Sequence, residues 1–369
     1  MTIGPLPMMR TDLMLLSLGI FFLSERLSLC QSRAFGQERE DQTLWTERKI
    51  TRSLTPLPQL PAPSFSTRNP RCDLCAVNAP STPSTPTSFT LEGWTWQGRL
   101  FAAERPRRVV VAFHGFGRPM EEMGNYVPLF PEGTAMLSVG IAHQNGSTVP
   151  DVSDPPPVLA PELLQQALSA WLEELDLGEV PRSLLGYSLG GRIALALFER
   201  RPEAWSGMTL LAADGFKKNP MYRFAVETAL GRATWSWVDR QADTVRSVIR
   251  GLRKLRLIPA HLEHFALHHT QDHAMRQLVA NTWKTHRQFW PRRDHTADVW
   301  RALPERDVHV AAVFGSRDAI IPWGWSRPWH ALGNSHVHFL QVESGHVMRH
   351  PDTVLALRRT ILEALDETP

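Results

Sequence analysis

The amino-acid sequence predicts a doubly wound α/β domain, with a mostly parallel sheet that carries an inserted helical segment. Short runs that are apolar throughout recur after residue 89, and helical patterns lie between them. Such runs are typical of strands that are buried on both faces of a parallel sheet. A third observation is an interruption: from about residue 219 to residue 301 no strand pattern is present.

The predicted strands begin with a hairpin and continue as buried runs. FTLEGWTWQGRLFAA, which starts at Phe89, has alternating apolar residues around Gly93 and Gly98, as a hairpin does. The later strands are predicted at RRVVVAFHGFG, TAMLSVGI (134–141), SLLGYS (183–188), GMTLLAAD (207–214), DVHVAAVFGS (307–316) and HVHFLQVE (336–343).

Helices alternate with these strands, which favours crossover connections in one sheet. PELLQQALSAWLEEL (161–175) begins with proline and has apolar residues at helical spacing. Further helices are predicted at GGRIALALFERRP (190–202) and TVLALRRTILEAL (353–365).

Residues 219–301 are too long for a simple connection and read as several helices. We therefore predict a helical cap at 219–301, inserted into an α/β core formed by 89–218 and 302–369. The helical patterns are MYRFAVETALGRATWSWV, DTVRSVIRGLRKLRLI, PAHLEHFALHH and HAMRQLVANTWKTHRQFW.

Residues 1–88 are predicted to be an N-terminal extension. The apolar run at 13–23 is shorter than a bilayer span and has the length of a signal-peptide core, but Asp12, Glu25 and Arg26 flank it. A cytoplasmic location is favoured, and export or membrane anchoring through residues 10–30 is the alternative. The Pro/Ser/Thr-rich stretch that follows predicts disorder.

The net charge and the cysteine spacing do not support binding of nucleic acid or of zinc. The net charge of the 369-residue chain is +3, which is too small to favour nucleic acid. Cys72 and Cys75 form a CxxC motif, but no second pair completes a zinc site. We predict no cofactor and no metal.

Two helical patterns in the predicted cap have a second interpretation. His261, His264 and His268 share one helical face with a spacing that zinc could use, but no acidic residue or cysteine clearly completes a site, so a solvated face is favoured. DTVRSVIRGLRKLRLI is amphipathic with a basic face. Contact with a membrane surface is an alternative to a solvated face, and it is not favoured.

A serine lies in a pattern that is typical of a catalytic nucleophile. Gly186-Tyr187-Ser188-Leu189-Gly190 matches G-x-S-x-G, between a predicted buried strand and a predicted helix. Glycines at positions 186 and 190 allow a turn too tight for larger side chains. At the helix N-terminus the dipole favours negative charge on Ser188.

A serine nucleophile needs a base and an acid that orients the base. Asp318 and His346 each follow a predicted strand, so they lie at the same sheet edge as Ser188. We predict that His346 accepts the serine proton and that Asp318 fixes the imidazole tautomer. Asp214, which follows the preceding strand, is the alternative acid.

An oxyanion also requires preorganised N–H donors. HGFG (114–117) follows a predicted strand, and Gly115 and Gly117 permit a tight loop. We assign the donors to the backbone N–H groups of Phe116 and Leu189.

These motifs together resemble the α/β-hydrolase superfamily, in particular its capped serine esterases and lipases. The resemblance rests on HGFG, GYSLGG, GSRDAIIP and SGH, and covers about residues 90–366. It implies a serine hydrolase that cleaves a small-molecule carboxylic ester or thioester through an acyl-enzyme. The loop IAHQNGST matches the superfamily pattern only loosely. C–C bond hydrolysis or lyase chemistry, acyl transfer, and a catalytically silent binding protein are the alternatives.

Overall fold

The computed structural model describes residues 83–151, 153, 155–218, 222–255 and 273–366. The predicted signal or anchor segment and the three histidines at 261, 264 and 268 lie outside these residues. Within the described part of the chain, no helix is both long and apolar enough to cross a bilayer.

The described residues form an eight-stranded sheet with the order β1-β2-β4-β3-β5-β6-β7-β8. β2 pairs antiparallel with β1 and β4, and all pairs from β4 to β8 are parallel. This confirms the predicted fold class. The strands are β1 (Thr85–Leu91), β2 (Trp94–Phe101), β3 (Arg108–Phe113), β4 (Thr134–Val139), β5 (Arg182–Tyr187), β6 (Gly207–Leu211), β7 (His309–Gly315) and β8 (Val337–Val342).

The first strand begins earlier than predicted. β1 starts at Thr85, within the Pro/Ser/Thr-rich stretch that the sequence analysis assigned to the extension. Its position explains the difference, because β1 is an edge strand and an edge tolerates Pro86, which has no N–H to donate. The hairpin turn is at Glu92 and Gly93, both with positive φ.

Helices cover both faces of the sheet. α1 (Pro161–Glu174) and α2 (Leu189–Arg200) pack on one face, whose apolar core includes Trp171 and Phe198. A 3₁₀ segment at Met120–Leu129 and α8 (Pro351–Asp366) pack on the other face, around Tyr126. Alternate residues of the central strands belong to the two cores.

The described part of the chain between β6 and β7 is mostly helical and contains no strand. A π-helical turn at Arg223–Glu227 precedes α3 (Ala229–Arg240), α4 (Ala242–Lys254), α5 (His273–Thr285) and α6 (Arg293–Arg301). The short α7 (Arg327–His330) follows β7. The role of this insertion as a substrate-binding cap stays a prediction.

The last helix of the insertion is attached to the core by a buried carboxylate. Glu199 in α2 accepts hydrogen bonds from the backbone N–H of Arg292, from the Arg292 guanidinium, and from Thr296 Oγ1. His295 Nδ1 lies 3.0 Å from the same carboxylate. Because the Glu199 side chain is fully buried, this network fixes the start of α6 against α2.

Candidate active site

The sheet topology brings two loops together at its carboxyl edge. β3 lies between β4 and β5, so the chain leaves β3 toward one side and returns to the other side at β5. Open α/β sheets form ligand crevices where the strand order reverses in this way. The loop HGFG follows β3, and Ser188 follows β5.

Ser188 lies in a strained turn between β5 and α2. Its φ of 52° and ψ of −116° are unusual for a residue with a side chain. A Cβ at Gly186 would lie 2.5 Å from Cα of Gly191, and a Cβ at Gly190 would lie 2.7 Å from the carbonyl oxygen of His114. Only glycine therefore fits at either position without a shift of the backbone.

Ser188, His346 and Asp318 form a continuous hydrogen-bonded chain. Ser188 Oγ lies 3.1 Å from His346 Nε2, and His346 Nδ1 lies 2.8 Å from Asp318 Oδ2. The histidine side chain is 16% exposed and Ser188 is half-buried, whereas the aspartate side chain is fully buried.

The second oxygen of Asp318 is also occupied. Asp318 Oδ1 accepts hydrogen bonds from the backbone N–H groups of Ile320 and Ile321, at 2.8 and 2.9 Å. These two donors prevent the carboxylate from rotating. Asp318 can therefore hold His346 in one tautomer, with the proton on Nδ1 and a free lone pair on Nε2.

Asp214, the alternative acid, has different partners. Its Oδ1 accepts from the N–H of Gly215 at 2.8 Å, and its Oδ2 lies 3.5 Å from Nη1 of the buried Arg192. Burial raises the pKa of Asp214, and the charge of Arg192 opposes that shift. Among the described contacts, His346 pairs with Asp318 and not with Asp214.

The HGFG loop has one backbone N–H group that is hydrogen-bonded to the described part of the chain and one that is not. The N–H of Gly117 donates to Gln144 Oε1 at 2.8 Å. Within the described part of the chain, no hydrogen bond uses the N–H of Phe116 or of Leu189. Gly115 faces the ring of Tyr187, where a Cβ would come within 2.9 Å. The two predicted oxyanion donors are thus free to bind a ligand.

His114 holds this loop as a neutral imidazole. Its Nδ1 donates to the carbonyl of Gly115 at 2.7 Å, and its Nε2 accepts from the N–H of Ile141 and from Asn145 Nδ2. Burial lowers the pKa of His114 to about 4. The uncharged ring therefore connects the HGFG loop to the loop after β4.

The loop after β4 also contacts α5. Gln144 Nε2 donates to Thr282 Oγ1 at 3.3 Å, and His143 Nε2 lies 2.8 Å from Thr285 Oγ1. Gln144 and Thr282 are both buried. The atypical sequence IAHQNGST therefore joins the HGFG loop to the helical insertion.

Sequence reasoning missed four residues that support the His346 loop or belong to it. The hydroxyl of Tyr187 donates to the carbonyl of His346 at 3.0 Å. The buried Glu122 accepts from Arg118, just after HGFG, and from Arg349, three residues after His346. A glutamate and two arginines close to the motifs were the available signal, but their pairing depends on the packing of segment 120–129.

No family model and no curated protein matches this sequence. Solved structures do match. A thermophilic esterase from Thermogutta terrifontis is 15% identical, over 76% of this chain and 99% of that chain, with a TM-score of 0.49. An esterase from Exiguobacterium antarcticum is 16% identical over 77% and 100%, with a TM-score of 0.47. The haloalkane dehalogenase DbeA from Bradyrhizobium elkani is 16% identical over 76% and 99%, with a TM-score of 0.48.

The fold class follows from the strand order and the turn after β5. An eight-stranded sheet with β2 antiparallel, crossovers from β3 onward and a strained strand-to-helix turn is the α/β-hydrolase fold. A fold does not determine a reaction, so function has to be argued from the site.

Proposed function

We propose that this protein is a serine hydrolase that cleaves a carboxylic ester or thioester through a covalent acyl-enzyme. The observation that carries the proposal is the chain Ser188 Oγ, His346 and Asp318, with separations of 3.1 and 2.8 Å. A hydroxyl becomes a nucleophile when a base within hydrogen-bond reach accepts its proton.

In the acylation step, Ser188 Oγ attacks the acyl carbon and its proton moves to His346 Nε2. The new imidazolium is stabilised by the Asp318 carboxylate, which does not itself become protonated. His346 then donates the proton to the leaving alcohol or thiol as the bond from the acyl carbon to that group breaks. Water, activated by the same histidine, hydrolyses the acyl-serine and restores the hydroxyl.

The negative oxygen of the tetrahedral intermediate accepts hydrogen bonds from the N–H groups of Phe116 and Leu189. Loss of one such donor costs roughly 3 kcal/mol in comparable sites. Leu189 is the first residue of α2, so the helix dipole adds to the stabilisation. The Gly117 N–H does not take this role, since it is bound to Gln144.

The test is covalent labelling followed by turnover. The full-length chain is treated with a fluorophosphonate probe, and the labelled residue is located by peptide mass spectrometry. We expect label on Ser188, none in the Ser188→Ala variant, and turnover of p-nitrophenyl esters in a series from acetate to palmitate. The chain length that gives the highest kcat/KM defines the acyl pocket.

The other outcomes distinguish the alternatives. Absence of label on Ser188 in the folded wild type contradicts the proposal and favours a catalytically silent binding protein. Label on Ser188 without turnover of any ester or thioester favours C–C bond hydrolysis or a lyase reaction. Transfer of the acyl group to an added alcohol in preference to water favours an acyltransferase.

A further inference from the structure

Three histidines meet at the sheet edge opposite to Ser188. His309 is the first residue of β7, His336 immediately precedes β8, and His338 is the second residue of β8. The parallel register pairs Val310 with Val337, so His309 and His336 are neighbours across the two strands. His336 and His338 are two residues apart and therefore lie on one face.

The side chains of this group are close enough to share an ion. One ligand atom each of Asp307, His309 and His336 lies within 4.8 Å of the other two. His309 Nε2 is 3.7 Å from Asp307 Oδ1, and the rings of His309 and His336 stack with centroids 4.3 Å apart. Tetrahedral ligands at a zinc distance of 2.0–2.1 Å are about 3.3 Å from each other. Asp307 is exposed, so its side chain is free to make the small adjustment.

Among the described residues, one buried nitrogen of the group lacks a hydrogen-bond partner. His336 Nδ1 is buried and has no hydrogen-bond partner within the part of the chain that the structure describes. A buried nitrogen without a partner costs about 1–3 kcal/mol. A metal ion that accepts its lone pair removes this cost.

His338 fixes the ring of His309 in the orientation that a metal ligand needs. Its Nε2 lies 3.3 Å from His309 Nδ1, on the opposite side of the ring from Asp307. If Nδ1 of His309 donates to His338, Nε2 keeps its lone pair and faces Asp307. Metal-binding histidines use their second nitrogen in this way, to donate to an orienting partner.

We propose that Asp307, His309 and His336 bind a divalent transition metal ion, with His338 as the positioning residue. Imidazole nitrogens with one carboxylate suit Zn²⁺ and its neighbours Cu²⁺ and Ni²⁺. The sequence analysis considered zinc for the CxxC motif and for the cap histidines, and not for these residues. The new site differs because its ligands lie at, or just before, the starts of two adjacent strands and include a carboxylate.

The proposed ion acts on stability and not on the reaction. β7 has seven residues at roughly 3.3 Å each, so the ion is about 20 Å from Asp318 at the other end of the strand. It joins the starts of β7 and β8, whose ends precede Asp318 and His346. We therefore expect metal to raise the melting temperature and to leave ester turnover unchanged at saturating substrate.

The experiment is an isothermal calorimetric titration of the metal-stripped full-length chain with Zn²⁺ alone. We expect His336→Asn to lose one zinc equivalent, or to bind it at least tenfold more weakly, relative to wild type. The matched control is His350→Asn, because His350 and Asp352 form an exposed pair with the same 3.7 Å separation but without further histidines. Zinc bound by histidines elsewhere is common to all variants and cancels.

Two further variants keep the test decisive. Asp307→Asn changes an exposed residue outside the strands. It is expected to weaken zinc binding by about tenfold without loss of circular dichroism signal. His338→Asn is expected to weaken zinc binding, while the d–d spectrum of Co²⁺ bound at the site still indicates four-coordinate geometry. Equal zinc stoichiometry and affinity in wild type, His336→Asn and Asp307→Asn would overturn the proposal.

Discussion

Replacement of Asp318 by asparagine tests the roles proposed for the site more sharply than deletion does. Asp318 Oδ1 accepts two backbone N–H groups, from Ile320 and Ile321. In Asp318→Asn the amide oxygen has to remain at that position, because an NH₂ group there would face two donors. The NH₂ group is then directed at His346 Nδ1, where the carboxylate oxygen now lies at 2.8 Å.

The expected effect follows from the tautomer. An NH₂ group donates and does not accept, so His346 has to accept at Nδ1 and carry its proton on Nε2, which faces Ser188. Nε2 can then no longer take the serine proton. Loss of the correct tautomer in this arrangement reduces kcat by about 10⁴-fold, which equals about 5.4 kcal/mol in the activation free energy.

The assay is kcat for the best p-nitrophenyl ester, with the rate of fluorophosphonate labelling as a second measure. Asp214→Asn is the matched control, since Asp214 contacts Arg192 and Gly215 and not His346. We expect Asp214→Asn to change kcat by less than tenfold. An Asp318→Asn variant that keeps more than a tenth of the wild-type rate, beside an inactive Asp214→Asn, would refute the assignment.

Three further predictions follow from the same structure. Gly190→Ala is expected to lower the free energy of unfolding by about 3 kcal/mol, because its Cβ would meet the carbonyls of Phe113 and His114. Gly251→Ala in α4, where a Cβ has free space, is expected to raise it by about 0.5–1 kcal/mol. Urea unfolding measures both changes. Burial lowers the pKa of His286 to about 3, so as the pH falls below 6.5 the unfolded chain binds a proton at this residue before the folded chain does; His286 alone then lowers the stability by about 1.4 kcal/mol per pH unit, in addition to a similar contribution from His114. His286→Gln is expected to remove only the contribution of His286, and an unchanged slope between pH 6 and pH 4.5 contradicts the cause given. Gln144→Ala is expected to lower kcat by about 10- to 100-fold with little change in KM, since it releases the Gly117 N–H; steady-state kinetics with Gln144→Glu as the isosteric comparison measure this.

Sequence patterns predicted the sheet because strands with two buried faces need apolar residues at every position. β4 and β5 lie within two residues of their predicted bounds, and β3 begins one residue after the start of the predicted run RRVVVAFHGFG and ends before its HGFG loop. β1 does not have this apolar pattern, because an edge strand is half exposed and tolerates proline, so Thr85 and Pro86 resembled a linker.

The choice between the two acids shows where sequence information ends. Asp214 and Asp318 both follow neighbouring parallel strands, and the chain order allows either. Their partners in the structure differ in ways that spacing does not reveal: Arg192 is close to Asp214, whereas Asp318 contacts His346. The Arg192–Asp214 pair depends on the packing of α2 against β6.

The HGFG loop, for which we propose oxyanion binding, was predicted only in part from the sequence. The motif predicted its glycines and its position after β3. Its rigidity depends on residues that are far away in the sequence. Gln144 binds the Gly117 N–H with its oxygen and Thr282 with its nitrogen, so one buried amide connects the loop to α5. His143 also contacts Thr285, so two side chains of the loop after β4 connect it to α5, and a displacement of α5 would reach Gly117 through the Gln144 amide. If the insertion selects the substrate as a cap, the same amide couples that selection to the position of an oxyanion donor.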